Sequence, residues 1–187
     1  MKLTAEFPVD NHKEFKIKML NWANQFSIFC LLDNHRYNFE QPAFECLLGA
    51  GKKTDIAASA GNAFPLLKDY CSTKKSFLFG HFGYDLKNET EQLNSNNYNG
   101  INFPDLYFFE PEIVLELSLD KVIIHADNNP DEIFLAVTAS SAAIGKLMSG
   151  QTEIQSRFKK EEYIEAVEKL QAHILRGDCY EINFCQE

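Results

Sequence analysis

Apolar residues recur at helical spacing most clearly in two stretches. Over residues 10–26, Phe15, Met19, Trp22, Ala23 and Phe26 fall on one face, Asp10 or Asn11 is placed to cap the start, and Glu14 stands three residues after Asn11. Over residues 160–176, Ile164, Val167, Leu170 and Ile174 share a face, acidic residues come early and His173 and Arg176 late, as the helix dipole prefers. Gly177 follows as the natural residue just past the end. Shorter helices are predicted around Pro65 over residues 63–70, and over residues 131–148, where alanines dominate the second half and Ser149-Gly150 ends the run.

Strand-sized apolar runs lie between these helices. Residues 27–32 end in the turn Asp33-Asn34-His35, and residues 43–48 are broken by Gly49-Ala50-Gly51. Residues 76–86 carry Phe77, Phe79, Phe82 and Tyr84 but are interrupted by Gly80 and Gly83, which mark a bulge or a close backbone approach. Residues 112–119 and 121–126 meet tightly at Asp120 and should pair antiparallel. The polar stretch 94–100 is a loop. Residues 179–185 read as a strand with Cys179, Glu181, Asn183 and Cys185 on one face and Tyr180, Ile182 and Phe184 on the other. A helix that feeds a strand so late reads as the opening of a second domain. The division expected is therefore 1–150 and 151–187.

Charge and composition remove several classes. With 18 basic against 27 acidic residues in 187, the net charge of −9 excludes a general binder of nucleic-acid backbones. At 45% hydrophobic and 24% charged the chain is globular rather than disordered. No run approaches the roughly 18 apolar residues that span a bilayer. The start, Met-Lys-Leu-Thr-Ala-Glu-Phe-Pro, lacks a signal-peptide core, so no membrane partner and a cytoplasmic location are expected. Five cysteines, Cys30, Cys46, Cys71, Cys179 and Cys185, form no CxxC pair and read as reduced thiols buried as small hydrophobes.

Generic site signals are sparse. Gly49-Ala50-Gly51-Lys52-Lys53-Thr54 fails the phosphate-loop pattern, because Cys46 takes the first glycine position and Lys53 stands where Ser or Thr would hold a metal. His81, between glycines, reads as a locally bonded strand histidine, Cys179 and Cys185 as structural thiols, and Glu89–Glu91 as a solvated turn. The stripe of Glu181 and Asn183 either faces solvent or lines a site.

Three ordered blocks carry a resemblance. Gly80-His81-Phe82-Gly83-Tyr84-Asp85-Leu86-Lys87-Asn88-Glu89 resembles the glycine-tyrosine-aspartate segment in the N-terminal half of chorismate-binding enzymes, the large subunits of aminodeoxychorismate synthase and anthranilate synthase. Pro104-Asp105-Leu106-Tyr107-Phe108-Phe109-Glu110-Pro111 is similar to the next segment in those enzymes. Phe158 onwards, through Arg176-Gly177-Asp178-Cys179-Tyr180-Glu181-Ile182-Asn183-Phe184-Cys185-Gln186, resembles the opening of the chorismate-utilising domain. Gly-Asp-Cys-Tyr with a subsequent Asn is similar to the para-aminobenzoate synthase branch, whereas anthranilate synthases more often read Gly-Asp-Ile-Phe-Gln-Val-Val.

The resemblance implies an α+β fold of two packed antiparallel sheets with flanking helices, residues 1–150 as the N-terminal sandwich, and residues 151–187 as the first helix and strand of the catalytic half. It implies amination of chorismate to 4-amino-4-deoxychorismate in folate biosynthesis, with Mg2+ as cofactor and ammonia from a partner glutamine amidotransferase, component II. The family's catalytic lysine, general acid and metal-binding glutamates are expected past Glu187, so this chain alone is expected to be inactive, with Glu181 and Asn183 bordering the active site. The family's aromatic amino-acid pocket uses a Leu-Leu-x-Ser element. Here the matching residues are Leu47 and Leu48, then Gly49, Ala50 and Gly51, so Leu48, Gly49, Ala50 and Gly51 are the candidate effector pocket and Ala50 replaces the hydroxyl. The alternatives are an anthranilate synthase component I, or a non-catalytic regulatory or scaffold domain that binds an aromatic amino acid or a glutaminase subunit.

Overall fold

The structure, a computed structural model, describes residues 2–35, 37, 44–91, 93, 94, 98–145 and 155–185. Two compact units are present, Met1–Ile144 and Gly145–Glu187. The first runs β1 (Leu3–Pro8), α1 (His12–Ala23), β2 (Phe29–Asp33), β3 (Cys46–Ala50), β4 (Thr54–Ala58), α2 (Ala63–Ser72), β5 (Phe79–Phe82), a single 3-10 turn at Tyr84–Leu86, α3 (Lys87–Glu91), β6 (Leu106–Glu110), β7 (Ile113–Leu117), β8 (Lys121–Ala126) and α4 (Pro130–Ala139). The second contains α5 (Lys160–Arg176).

A five-stranded sheet in the order β1-β8-β7-β3-β2 and a three-stranded sheet in the order β4-β6-β5 are both antiparallel. This is the α+β architecture expected, and side-chain alternation shows how it stacks. Along β3, Cys46, Leu48 and Ala50 join Met19, Trp22 and Ala23 of α1 and Ile133 and Val137 of α4 in one core. The intervening Leu47, with Val114 of β7, packs instead on Phe79 and Phe109 of the small sheet. The far face of the small sheet is covered in turn, where Leu106 meets Ala63 of α2 and Leu86, with Phe108 and Ile56 against them. Four layers result: helices, large sheet, small sheet, helices. Each fully buried aliphatic or aromatic side chain in these seams stabilises the fold by about 1.5–3 kcal/mol.

Local signals decide the best-defined elements. Asn11 caps α1 by accepting from the Glu14 N–H at 3.3 Å, and Phe15, Met19, Trp22 and Ala23 are its buried stripe. Strands β7 and β8 pair across Asp120 with Leu117 opposite Val122. Other expectations are corrected. Two strands lie outside the predicted runs, β1, where Leu3, Ala5 and Phe7 alternate with Thr4 and Glu6, and β4, which has no clean alternation; both are edge strands that the sheets recruit by backbone pairing. Gly49 does not break its strand but sits inside β3, paired with Cys30 and Val114. The aromatic run 76–86 is a strand only over Phe79–Phe82, after which the chain turns into the 3-10 helix.

Helix α4 stops at Ala139 rather than continuing to residue 148. Thr138 and Ser140 donate their hydroxyls back to Phe134 and Ala136 carbonyls at 2.8 and 3.0 Å, while the Ser140 backbone is extended. Side chains thus satisfy carbonyls that a longer helix would have used. The predicted stop at Ser149-Gly150 lies outside the described residues.

Two glycines are set by close approach. A Cβ on Gly49 would stand 2.6 Å from the Phe79 ring, and one on Gly80 would fall on the carbonyl oxygen of Tyr107. Gly80→Ala is therefore expected to cost about 1–3 kcal/mol or more through overpacking, read as a lower urea midpoint. Gly145→Ala, where nothing lies within 4 Å, is expected to leave it unchanged.

Candidate functional site

The first two resemblance blocks meet at one place. Helix α2 begins at Asn62, whose side chain makes no capping bond, and its first turn holds Pro65, where a missing N–H is harmless. The cap comes from elsewhere. Glu89 of α3 accepts from the backbone N–H groups of Gly61 at 2.7 Å, Ala63 at 2.5 Å and Phe64 at 3.3 Å. Asp105, just before β6, accepts from the Ala60 N–H at 2.8 Å, and its own carbonyl accepts from Gly83 at 2.5 Å. The Ala63, Gly61 and Phe64 amides hold the Glu89 carboxyl below its ordinary range. The reading of Glu89 as a solvated turn residue is thus overturned: it is the remote cap of α2, and a separation of 26 residues leaves no local pattern to reveal it. His81 is bonded not locally but across 23 residues, to the Pro104 carbonyl at 3.0 Å.

The candidate effector residues lie along and just past β3. Leu48 and Ala50 are fully buried and face the α1 and α4 side, Gly49 faces the small sheet under the Phe79 ring, and Gly51 adopts a left-handed φ of 70° against the Glu112 side chain. The next two lysines are engaged, Lys52 with Asp55 at 2.9 Å and Lys53 with Asp127. The chain then enters strand β4 rather than a helix, so the phosphate-loop geometry is absent here.

Glu181 and Asn183 belong to the second unit. Both are exposed, and residues 181–185 pair with no strand among the described residues. The strand expected over residues 179–185 is thus not formed, since an extended segment without a partner has no ladder to join. Phe184 instead packs on Tyr163 of α5 and on Phe158, with ring centroids 5.5 and 6.0 Å away. Helix α5 closes as a Schellman motif: Gly177 at φ 86° donates to Ile174, and Asp178 donates to His173, both at 3.0 Å. The Asp178 carboxylate then accepts from Arg176 Nε at 2.9 Å and lies 2.7 Å from His173 Nδ1, and these two partners lower its pKa.

Among the cysteines, burial pushes the Cys46 thiol up to about 12, which makes it inert. Cys71 and Cys185 are exposed, correcting the expectation of uniformly buried thiols, because α2 turns Cys71 outward and residue 185 has no sheet to cover it. Among the described residues no three His, Cys, Asp or Glu side chains converge to hold a metal ion. No helix among them is long and apolar enough to cross a membrane.

Comparison with known proteins places the sequence pattern. The model of the chorismate binding enzyme family matches residues 28–187. The chain belongs to the chorismate binding enzyme family. It is 29% identical over 114 residues to anthranilate synthase component 1 of Thermus thermophilus, covering 55% of this chain and 25% of that protein. It is 25% identical over 109 residues to aminodeoxychorismate synthase component 1 of Klebsiella aerogenes, covering 57% of this chain and 24% of that protein. The chain thus spans about a quarter of the length of these relatives. In this chain the glycine-tyrosine-aspartate and proline-aspartate blocks act as a bracket around the start of α2, a structural role that sequence similarity by itself does not reveal.

Glu89 gives a pH signature. Its folded pKa lies below the unfolded value of about 4.3, so its stabilisation is complete above that pH and is lost as pH falls through the folded value. Glu89→Gln is expected to lower the urea midpoint at pH 7 and to flatten its fall between pH 5 and 3; identical pH profiles for both proteins would remove the bracket. At β3, Ala50 offers no hydroxyl and Phe79 covers Gly49, and one missing hydrogen bond costs about 1 kcal/mol. Calorimetry with tryptophan is expected to show no micromolar binding.

Proposed function

We propose that this chain is the N-terminal part of an aminodeoxychorismate synthase component I, which aminates chorismate to 4-amino-4-deoxychorismate for folate synthesis. The family match over residues 28–187 carries the class of substrate. The finer choice is supported by Gly177-Asp178-Cys179-Tyr180 with Asn183, in place of the Gly-Asp-Ile-Phe-Gln-Val-Val of anthranilate synthases. Ammonia is supplied by a glutamine amidotransferase partner, component II. A second reading, anthranilate synthase component I, is favoured by the higher identity to the Thermus thermophilus protein.

In this reading residues 1–150 form the sandwich domain and residues 151–187 open the chorismate-utilising domain. Glu181 and Asn183 border the active site in supporting roles, and the Arg176, His173 and Asp178 cluster fixes the direction in which the chain leaves α5. Leu48, Gly49, Ala50 and Gly51 are core residues in place of an effector pocket. The described residues do not fit Mg2+, since no acidic or histidine set converges. Residues 1–187 also contain no counterpart of the family's Pro-Ile-Lys-Gly-Thr type lysine element. In this reading metal and lysine chemistry belong to the C-terminal portion of the family's enzymes.

Two measurements test this. Chorismate, magnesium and ammonia supplied to the 187-residue chain are expected to give neither aminodeoxychorismate nor anthranilate by chromatography, and turnover by the chain itself would refute the division of labour. The coding sequence downstream of codon 187 is expected to encode the lysine element, and the enzyme it completes is expected to release aminodeoxychorismate; fluorescent anthranilate as its product would decide for the second reading.

A further inference from the structure

A cavity of about 390 Å³ opens in the first unit where the start of β1 and the end of β8 face the chain that enters β5, and Lys2, Lys75, Ser76, Phe77 and His125 line it. Its size is that of a small-molecule site. In a protein of net charge −9, this wall holds two ammonium groups and no carboxylate.

The polar groups divide into used and available. His125 is spent: its Nδ1 is 2.9 Å from Thr4 Oγ1 and its Nε2 is 2.8 Å from Glu116 Oε1, so the imidazole offers only its ring, 5.9 Å from that of Phe77. Glu116 is occupied by the same contact. Lys2 gives one proton to the Pro111 carbonyl at 3.1 Å and keeps two. The two acids whose charges act on it, Asp127 and Glu110, are already paired with Lys53 and Lys74. Lys75 and the Ser76 hydroxyl have no hydrogen-bond or ion-pair partner among the described residues. Burial and the Lys53 charge both lower the Lys2 pKa, a cost that an incoming anion would relieve.

We propose that this cavity binds a small organic anion, with its carboxylate between Lys2, Lys75 and the Ser76 hydroxyl and a flat apolar body against the Phe77 and His125 rings. The donors match a carboxylate, and charge-assisted bonds to it are the strong kind. Among the described residues the lining has no free carboxylate to pair with an ammonium group, so a zwitterionic amino acid would set its ammonium beside two like charges. The site shares no residue with Leu48, Gly49, Ala50 or Gly51 and does not depend on which product the enzyme makes.

Benzoate is the probe, titrated into the full 187-residue chain while the Phe77 and His125 ring resonances are followed by NMR. Saturable shifts are expected, with affinity falling about tenfold in Lys75→Ala, as for one lost charge-assisted hydrogen bond, and comparably when neutral benzamide replaces benzoate. Lys75 is exposed, so that variant keeps the fold. Phenylalanine is expected to give no saturable shift. Equal binding of benzamide, tight binding of phenylalanine, displacement of benzoate by inorganic phosphate at equal affinity, or an unchanged affinity in Lys75→Ala would each overturn the assignment.

Discussion

Burial of β3 on both faces is the constraint on which the first unit depends. All five residues from Cys46 to Ala50 are buried, the odd set by the small sheet and the even set by α1 and α4. A strand in that position tolerates only apolar or very small side chains, and it needs two covering layers at once. The small sheet supplies one layer through Phe79 and Phe109. Because that sheet is only three strands wide, its own far face must be covered too, which places α2 and the Tyr84–Leu86 turn. Gly49 lets the two sheets close over Phe79, and Gly80 lets β5 lie against β6.

That outermost layer is the weakest seam, and charge rather than area secures it. Helix α2 has Ala63 as its sole buried residue. Its N-terminus presents free N–H groups and a positive dipole end, and Glu89 answers both from 26 residues away while Asp105 ties the preceding loop to β6. In these blocks Glu89, Asp105 and Gly83 thus fasten α2 and the loop before it to β6.

Legibility in the sequence tracks the range of the interactions. Helix α1, helix α5 and the β7–β8 pair announce themselves through caps, dipole-matched charges, a left-handed glycine and short turns, all within a few residues. Strands β1 and β4 are held by partners far along the chain, Leu3 opposite Ala126 and Thr54 opposite Glu110, and nothing within either short stretch names that partner. Glu89 is opaque for the same reason, since a carboxylate that caps a remote helix looks like any surface acid. Residues 179–185 mislead in the opposite direction. Their alternation is clear, yet alternation describes which side a residue would take in a sheet and cannot supply the neighbouring strand.

The second unit shows what a motif can encode without that neighbour. In Arg176-Gly177-Asp178, the glycine reverses the backbone, the Asp178 N–H and Gly177 N–H satisfy the last carbonyls of α5, and the Asp178 side chain gathers Arg176 and His173. Three residues thereby fix the exit vector of the chain, and Phe184 returns to the aromatic face of α5 at Tyr163. The chain that carries Glu181 and Asn183 starts from this turn and inherits its direction. A change at Gly177 or Asp178 therefore reaches those two residues through the path of the backbone.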